Sequence, residues 1–390
     1  MRAPGPVGLG GAEREPGLLR RAAPAVCAFA AIRLLGLVTL AVWSHADGKK
    51  AHVLLSARWD SLWYVRVVQE GYGFTLVAPD GRRLSDLAFF PFFPWLEKTV
   101  AAATTLSEPD AGLLVSALAS LVAAAGIFAV TERAAGARAA LFTVTLWAAL
   151  PVGIVESMAY SESLFTALAS WALYSAAKER WITAGLLASL AGLTRATGLA
   201  VVLAVWAACA LSVRRTGKVN GKVTGTVSAR QVLGAALAPV GGAAYALWAG
   251  HRSGGPFGYF HVQRGWGNGL DGGVAFSVFL WRLGSHPPFL GGPALAAGVL
   301  ALVFLWVQGF RRGVPPVVQV YTGAVMFLAL GTSGYFGSKP RLLLPAFGLL
   351  IPVAMRLARL RPGRALTAVG ALAAVSAAYG AFWLNGSGPP

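Results

Sequence analysis

Asp60 is the residue of the first polar loop that is best placed to do chemistry. It stands among aromatic side chains in the stretch Arg58-Trp59-Asp60-Ser61-Leu62-Trp63-Tyr64. Low-dielectric surroundings raise the proton affinity of a carboxyl group, so a carboxylate beside a membrane is a candidate general base. The alternative is an interfacial helix, because Trp59, Trp63 and Val67 recur at four-residue spacing and tryptophan favours the headgroup layer. Local sequence favours that helix, whereas the position of the loop in the chain favours chemistry.

Two further carboxylates, Glu156 and Glu162, stand in a short polar turn between apolar segments. A carboxylate at a membrane boundary is unfavourable unless it is solvated or paired, so each is a candidate for substrate binding. For Glu162 the local sequence favours a structural role, because Ser161 and Glu162 suit the N-terminus of a helix. For Glu156 both interpretations stay open.

Arg195 interrupts the long apolar run 181–212. An arginine inside a membrane segment is a candidate functional residue. Its structural alternative is an ion pair with Glu156 or Glu162, and both interpretations stay open. Basic residues flank the run on both sides and indicate cytoplasmic ends, so we predict two short spans that meet near the outer face. A re-entrant segment is the alternative.

Three cations lie at the predicted outer boundary of the membrane, namely Arg264, Lys339 and Arg341. Lysine and arginine are usually enriched on the cytoplasmic side. Their presence outside is expected if they bind a phosphate group, for which both side chains are suited. The alternative is that they extend to the headgroup layer without a chemical role.

The composition indicates a polytopic helical membrane protein. The 390 residues are 56% hydrophobic and 12% charged, and the mean hydropathy is +0.63. Apolar runs of about 17 to 25 residues recur along the chain, and spanning segments must satisfy their own backbone hydrogen bonds. The net charge of +18 does not indicate nucleic acid, because the basic residues flank apolar segments and fit topology and anionic lipid. Cys27 and Cys209 lie in apolar segments, and we expect neither a disulfide nor a metal site from them.

The spacing of apolar runs predicts eleven transmembrane spans. A disordered cytoplasmic N-terminus covers 1–22, and one integral membrane domain covers 23–390, with a first extracytoplasmic loop at 45–110 that carries the catalytic site. The predicted spans cover 24–44, 111–131, 139–155, a segment ending at 177, two within 181–212, and 231–250, 291–310, 314–332, 342–356 and 365–384. Residues 274–283 of a later outer loop are predicted to form an interfacial helix.

The charge distribution supports this orientation. The predicted inner segments hold 19 of the 33 basic residues, and the predicted outer segments hold 11 of the 15 acidic residues. The excess of lysine and arginine sets the orientation. The concentration of carboxylates on one side shows where chemistry could take place.

One reaction uses all of these features. A lipid-phosphate-linked sugar presents its sugar at the outer face and keeps its tail in the bilayer. A carboxylate can deprotonate the acceptor hydroxyl, and cations can stabilise the departing phosphate. No nucleotide-binding fold is indicated, because the chain has no Gly-x-Gly-x-x-Gly after a strand.

Five motifs carry a resemblance to a known family: RWDSLWYVRVVQEGY at 58–72, AFFPFFP at 88–94, YSESLF at 160–165, LTRATG at 193–198 and SKPRLLLP at 338–345. With these motifs in the family's order, the chain resembles the GT-C superfamily of membrane glycosyltransferases. Within it, the chain is most similar to the PIG-V-type mannosyltransferases of GPI-anchor assembly and their bacterial relatives.

The resemblance implies an all-α GT-C-like bundle that transfers a sugar, with mannose expected, from a polyprenyl- or dolichyl-phosphate donor with inversion. It implies that Asp60 is the catalytic base. A GPI substrate is not carried over, because the Ala/Gly-rich composition is typical of a high-GC bacterial chain. Many members of the superfamily have two neighbouring acids in this loop, whereas Ser61 follows Asp60 here. Metal use therefore stays open, and Asp80, Asp86 or Glu156 is a candidate partner.

We therefore expect a multi-pass cell-membrane glycosyltransferase whose partners are a polyprenyl-phosphate sugar and membrane lipid, with no nucleic acid. No cofactor is expected, and a divalent metal stays open. The expected substrate-binding residues are Arg58, Trp59, Trp63, Tyr64, Glu156, Glu162, Arg195, Arg264, Lys339 and Arg341. The alternatives are a transporter or lipid flippase, and a non-catalytic assembly subunit.

Overall fold

The computed structural model describes residues 17–216, 218–219, 222–223, 227–386 and 388, and nearly all of its regular structure is helical. The first half contains α1 Leu18–Ala46, α2 Ala51–Ser56, α3 Asp60–Glu70, α4 Phe92–Ala103, α5 Glu108–Ala135, α6 Ala137–Ala148, α7 Glu162–Ala177, α8 Trp181–Gly192 and α9 Gly198–Thr216. The second half contains α10 Ala229–Leu237, α11 Val240–Arg252, α12 Gly258–Gly265, α13 Val274–Ser285, α14 Gly291–Arg311, α15 Pro316–Leu330, α16 Lys339–Leu343, α17 Ile351–Leu357 and α18 Pro362–Asn385.

Short segments complete the described structure. The 3₁₀ segments cover Asp86–Ala88, Pro151–Ser157, Phe336–Ser338 and Phe347–Leu350. Strands β1 (Thr75–Val77) and β2 (Arg83–Ser85) form an antiparallel hairpin with Leu76 opposite Leu84. Strands β3 (Lys218–Val219) and β4 (Lys222–Val223) form a second short antiparallel pair. The predicted all-α fold is confirmed, and the hairpin is a small addition within the first loop.

Several helices are long and apolar enough to cross a membrane. Among the described residues there are five such helices, or up to seven if two bent helix pairs each count as one span. The chain is therefore a multi-pass membrane protein, as predicted. The count of eleven spans stays a prediction, because α8, α9, α13 and α15 are apolar but shorter.

The structure corrects the predicted boundaries at three places. Helix α1 begins at Leu18, so residues 18–22 are helical rather than disordered, while 1–16 lie outside the described residues. The predicted span 139–155 bends by 85° between α6 and the segment that begins at Pro151. The predicted span 342–356 bends by 72° between α16 and the segment Phe347–Leu357. Prolines explain both breaks, because proline disfavours helix in the residue before it and removes a backbone donor.

The run 181–212 forms two helices, α8 and α9, as predicted. They are joined at 193–197, and the backbone N–H of Phe92 donates to Leu193 O at 3.0 Å. This contact places the connection beside the first loop. Residues 274–283 are helical as predicted, within α13.

Small residues allow the central helices to pack closely. Helix α5 runs along α7, and α1 runs along α18. At Gly126 an added Cβ would lie 2.2 Å from Ser170 Oγ, so α5 and α7 approach each other where a larger residue would not fit. Close approach through small residues is how helices associate in a membrane, where hydrophobic burial between helices gives little driving force.

One end of the bundle carries the first loop, 47–107, and we call it the loop end. The C-terminus of α18 also lies there, because Lys49 Nζ donates to Asn385 O at 2.5 Å and Asn385 Nδ2 donates to Ser44 Oγ at 3.2 Å. Helices α3 and α4 pack on each other and on the start of α5. The loop end is therefore a structured layer on top of the bundle.

Candidate active site

Asp60 is the first residue of α3, and a tight turn sets its position. Trp59, which precedes it, has φ 52° and ψ −116°, a backbone conformation that is uncommon for a residue other than glycine. Ser61 stabilises the turn: its Oγ accepts from the Arg58 backbone N–H at 2.9 Å and donates to Arg58 O at 2.6 Å. The carboxylate stands in the first turn of α3, where the helix dipole favours negative charge.

Asp60 belongs to a chain of ion pairs. Its Oδ2 lies 2.9 Å from Arg341 Nη1. Arg341 Nε lies 3.3 Å from Glu162 Oε1, and the same oxygen lies 2.7 Å from Arg195 Nη1. We call Asp60, Glu162, Arg195 and Arg341 the ion-pair cluster. Its members come from α3, α7, the α8–α9 connection and α16, so the cluster forms only when these segments pack together.

Two tyrosines and a serine surround the cluster. Ser161 Oγ accepts from Arg195 Nη1 at 3.0 Å and from the Tyr64 hydroxyl at 2.8 Å. The Tyr160 hydroxyl accepts from the Asp60 backbone N–H at 3.4 Å, and the Arg341 guanidinium lies 5.0 Å from the centre of its ring. Burial raises the pKa of both the Tyr64 and the Tyr160 hydroxyl well above the usual range. Both hydroxyls therefore stay protonated at neutral pH.

Exposure differs sharply between the two acids of the cluster. The Asp60 side chain is 23% exposed, whereas that of Glu162 is 1% exposed. Within the described residues, Arg341 Nε and Nη1 and both Glu162 carboxylate oxygens are buried and make no aligned hydrogen bond, although the charges lie at ion-pair distance. Asp60 is thus the acid that a substrate can reach, and Arg341 is the cation that lies at ion-pair distance from both acids.

Glu156 lies against a different arginine. Its carboxylate is 3.5 Å from Arg33 of α1, and both side chains are buried. The structure does not bring Glu156 to Asp60, because its oxygens face Arg33, and a role of Glu156 in substrate binding stays a prediction. Glu162 is the second acid of the cluster, and it also begins α7, as its predicted structural role requires.

The other candidate partner acids are also occupied elsewhere. Asp80 Oδ2 pairs with Arg82 Nε at 2.7 Å in the exposed turn of the hairpin. Asp86 is buried, and its Oδ2 accepts from the backbone N–H groups of Gly73 and Phe74, each at 2.9 Å. Both acids stabilise the loop and are not bound to the cluster.

Three of the predicted cations do not reach the cluster. Two of them have partners nearby, and the third makes no ion pair within the described residues. Arg58 donates to Leu384 O at 2.6 Å and to Gly386 O at 3.1 Å, and its guanidinium stacks on Trp59. Lys339 is buried and donates to the backbone oxygen of Thr332. Arg264 is exposed on α12 and makes no ion pair within the part of the chain that the structure describes. The structure therefore does not bring Arg58, Lys339 or Arg264 to the cluster, and their role in substrate binding stays a prediction.

The predicted aromatic residues form a wall next to the cluster. The Trp63 ring stacks on Phe89 with centroids 5.4 Å apart and meets Trp266 edge-on at 5.0 Å. Tyr64 packs against Phe89 and Phe93. Helix α3 thus packs on α4 through Tyr64 and Phe93, and its aromatic face also contacts Phe89 and Trp266.

The cluster does not fit a divalent metal. Within the described residues, no group of three or more His, Cys, Asp or Glu side chains is close enough to hold one. Each acid of the cluster is already neutralised by an arginine, and an arginine beside the carboxylates would repel a dication. We therefore derive no catalytic step through a metal ion.

Comparison with known proteins gives matches in sequence and in fold. A family model described as dolichyl-phosphate-mannose-protein mannosyltransferase matches residues 90–233. ArnT from Cupriavidus metallidurans, solved bound to undecaprenyl phosphate, is 19% identical over 87% of this chain and 62% of that chain, with a TM-score of 0.54. The oligosaccharyltransferase of Archaeoglobus fulgidus in its apo form is 16% identical over 92% of this chain and 56% of that chain, with a TM-score of 0.50. No curated protein matches the chain by sequence at a significant level.

The fold shared with these structures is that of a polytopic membrane glycosyltransferase. The fold is that of the GT-C superfamily of membrane glycosyltransferases, and the family match over residues 90–233 agrees with it. The chain spans less than two thirds of the length of either relative. The predicted resemblance to the superfamily is confirmed at the level of the fold, and the narrower similarity to PIG-V-type enzymes stays a prediction.

Local sequence does not indicate a role in the site for the Tyr160 and Ser161 hydroxyls. The signal was present, because both residues belong to the motif YSESLF at 160–165. Their partners, Asp60, Tyr64 and Arg195, are distant in sequence, so only the packing of α3 and α7 reveals the contacts.

Proposed function

We propose that this chain transfers a sugar from a polyprenyl-phosphate donor to an acceptor hydroxyl at the outer face of the cell membrane. Mannose is the proposed sugar, and inversion at the anomeric carbon is the proposed stereochemistry. A relative of similar fold binds undecaprenyl phosphate, and the description of the matching family names dolichyl-phosphate mannose, which supports this donor class. The acceptor is a lipid, a glycan or a protein, and the assay below distinguishes these.

The observation that carries the proposal is the asymmetry of the ion-pair cluster. One carboxylate, Asp60, is accessible and shares an arginine with a second carboxylate, Glu162, which is buried. A cation that contacts both a base and the site of departing negative charge is what glycosyl transfer from a lipid phosphate requires.

In the proposed step, Asp60 accepts the proton of the acceptor hydroxyl. The acceptor oxygen forms a bond to the anomeric carbon, and the bond from that carbon to the phosphate oxygen breaks. The electron pair leaves with the lipid phosphate, on which negative charge grows. Arg341 is the nearest cation to Asp60 and stabilises that charge through N–H groups that make no aligned hydrogen bond within the described protein.

The direct test replaces Asp60 with asparagine. Asp60→Asn keeps the size of the side chain but removes the base, so turnover should fall about 10²- to 10⁴-fold while the protein stays folded and inserted. Purified protein would be incubated with labelled polyprenyl-phosphate mannose and an envelope extract, and the labelled product would be identified. Asp80→Asn is the matched control, because Asp80 is an aspartate of the same loop that pairs only with exposed Arg82.

Two results would contradict the proposal. Near-normal sugar transfer by Asp60→Asn would remove Asp60 from the role of base. Movement of the donor lipid across the membrane of proteoliposomes, with no glycosylated product, would support the transporter or flippase alternative instead.

A further inference from the structure

The turn that precedes Asp60 is held in a strained conformation. Residues 58–61 form a four-residue turn, closed by a hydrogen bond from the Ser61 backbone N–H to Arg58 O at 3.3 Å. Trp59 stands at the first central position with φ 52° and ψ −116°. These angles lie close to those of a type II′ turn, about 60° and −120°, where glycine is the usual residue. A tryptophan persists in this conformation only if contacts from outside the turn hold it there.

The side chain of Arg58 connects this turn to the C-terminal end of α18. Its Nη1 donates to Leu384 O at 2.6 Å, and its Nη2 donates to Gly386 O at 3.1 Å. The last carbonyl groups of a helix have no partner within the helix and carry partial negative charge, so a guanidinium stabilises them. Arg58 Cζ also lies 4.0 Å from the centre of the Trp59 ring. The strained residue is therefore in direct contact with the cation that binds α18.

The end of α18 is suited to anchor the turn because the bundle holds it independently of the first loop. Asn385 Nδ2 donates to Ser44 Oγ of α1 at 3.2 Å. Closer to the middle of α18, an added Cβ at Gly380 would lie 2.9 Å from Ile154 Cβ, so the helix lies directly against the 3₁₀ segment that follows α6. The carbonyl groups that Arg58 contacts thus have a position set by α1 and by that segment.

The position of the Asp60 carboxylate depends on the turn. Asp60 follows Trp59 directly, and its backbone N–H donates to the Tyr160 hydroxyl at 3.4 Å. Its Oδ2 lies 2.9 Å from Arg341 Nη1. A change of φ at Trp59 would rotate the start of α3 away from both partners. The effect on chemistry would be large, because a displacement of about 1 Å in a reacting group can reduce turnover about 100-fold.

We infer that Arg58 is a positioning residue for Asp60: it binds the end of α18, stacks on Trp59 and so holds the strained turn that directs the carboxylate toward Arg341. The inference rests on the proposed function, and it gives Arg58 a role in the same reaction that needs no contact with substrate. Ser61 holds the turn from the other side, through the two hydrogen bonds of its hydroxyl to the Arg58 backbone.

The first test replaces Arg58 with methionine, which keeps an unbranched side chain and removes its donors and its charge. We expect kcat for transfer from labelled polyprenyl-phosphate mannose to fall about 10- to 100-fold, with the KM for the donor unchanged. Arg66→Met is the matched control. Arg66 is an arginine of α3 that also stacks on an aromatic ring, that of Phe74, but pairs with exposed Glu70. Its kcat should change by no more than about twofold.

A double-mutant cycle with Trp59→Gly tests the strain itself. Glycine adopts positive φ without strain, so the turn should no longer depend on Arg58. Arg58→Met should therefore reduce kcat about 10- to 100-fold when residue 59 is tryptophan, but only about twofold when it is glycine. A role of Arg58 in overall stability or in the general electrostatic field would give the same loss in both backgrounds.

Hydrogen exchange of the purified full-length protein gives a readout that does not require activity. The backbone N–H groups of Asp60, Ser61 and Leu62 all donate hydrogen bonds in or beside the turn. Arg58→Met should accelerate their exchange about tenfold relative to the wild type, whereas Arg66→Met should not. Ser61→Ala removes the other support of the turn and should accelerate exchange in the same way, so it replaces Arg58→Met if that variant does not fold.

The contrary results have distinct meanings. Unchanged kcat and donor KM in folded Arg58→Met would overturn the inference, and so would equal losses in the two backgrounds of the cycle. Unchanged kcat with a raised donor KM would overturn it in favour of the predicted substrate-binding role of Arg58. If the wild type transfers no sugar, the proposed function fails, and hydrogen exchange alone decides whether Arg58 holds the turn.

Discussion

Two sets of buried arginines and carboxylates occupy the same bundle and differ in what they can do. Arg33 and Glu156 form an isolated pair between α1 and the segment Pro151–Ser157, with side chains 7% and 0% exposed. The ion-pair cluster joins four segments at the loop end, and Asp60 at its edge is 23% exposed. The residue types are the same, but only the cluster offers a carboxylate that a substrate can reach.

This difference shows that packing decides which ion pair is structural and which one a substrate can reach. Glycines make room for the isolated pair: an added Cβ would lie 2.6 Å from Arg33 Nη1 at Gly153 and 2.9 Å from Arg33 Nη2 at Gly36. The pair is enclosed by backbone and holds the segment that leads to Tyr160. In the cluster, Arg341 is shared between two acids, one of which is partly exposed. Accessibility and a shared cation are what distinguish the candidate site.

The largest expected effect comes from breaking the enclosed pair. Glu156→Leu leaves Arg33 charged and buried without a partner, which should reduce the free energy of unfolding by about 3–5 kcal/mol. The double variant Arg33→Met with Glu156→Leu replaces both charges with apolar groups and should recover most of that loss. The measurement is unfolding of the purified protein by SDS titration, with the single and double variants compared.

The distinction between the Arg33–Glu156 pair and the ion-pair cluster depends on whether the double variant recovers the lost stability. If the double variant is as unstable as Glu156→Leu, the pair has a role beyond mutual neutralisation. If the folded double variant loses sugar transfer at normal stability, the Arg33–Glu156 pair belongs with the chemistry, and the distinction between the two regions fails.

A second prediction concerns the shared cation. Arg341→Lys keeps the charge, but a lysine ammonium cannot contact Asp60 and Glu162 with separate nitrogens as a planar guanidinium does. Turnover should fall about 10²- to 10³-fold, the usual loss for one electrostatic group of a transition state. Sugar transfer from labelled polyprenyl-phosphate mannose is the readout. Arg264→Lys is the matched control, because Arg264 is exposed on α12, and its activity should change by no more than about twofold.

Unchanged turnover in Arg341→Lys would show that Arg341 serves only as a positive charge. A large loss in Arg264→Lys would restore Arg264 to the site, contrary to its exposed position.

The third prediction concerns a buried acid that forms no ion pair with an arginine among the described residues. Glu97 of α4 is 1% exposed, and within the described residues its carboxyl oxygens have no hydrogen-bond partner. Burial, with a smaller contribution from the nearby charge of Glu108, raises the pKa of Glu97 from an ordinary 4.5 to about 8. The folded protein therefore keeps this proton at pH values where the unfolded chain releases it.

The contribution of Glu97 to the stability of the wild type should consequently be largest below about pH 4.5. It should be lost as the pH rises to about 8. The decrease is on the order of a few kcal/mol at most. Glu97→Gln cannot ionise and should remove this part of the pH dependence, measured by SDS unfolding at several pH values between 5 and 8. Identical pH profiles of wild type and Glu97→Gln would show that Glu97 is stabilised as an anion.

Several features of the site were predictable from local sequence. The polar loop around Asp60 and the interruption at Arg195 are visible as charges in an apolar chain. The pairing of Arg195 with an acid of the 156–162 turn was one of two alternatives, and the structure selects Glu162. A charge placed in an apolar run needs a partner, and this is why such residues can be recognised without coordinates.

Other features could not be predicted in this way. Lys339 and Arg341 stand two positions apart in one motif, yet Lys339 turns to the backbone of Thr332 while Arg341 turns to Asp60. Both residues lie in α16, where two positions along the helix rotate a side chain by about 200°, so the two cations point in nearly opposite directions. Apolar composition alone predicted a continuous span through the bend between α16 and α17.

The sequence by itself determined that this chain is a helical membrane protein with an acid in its first polar loop and with motifs that resemble those of the GT-C superfamily. Hydropathy, charge bias and motifs are local properties, and they can be recognised without knowledge of the packing. Only the tertiary structure decided that Asp60 shares Arg341 with Glu162 and that Glu156 faces Arg33. Those choices depend on which helices meet, because burial in an apolar bundle makes each charge pair with the nearest opposite charge that the fold supplies.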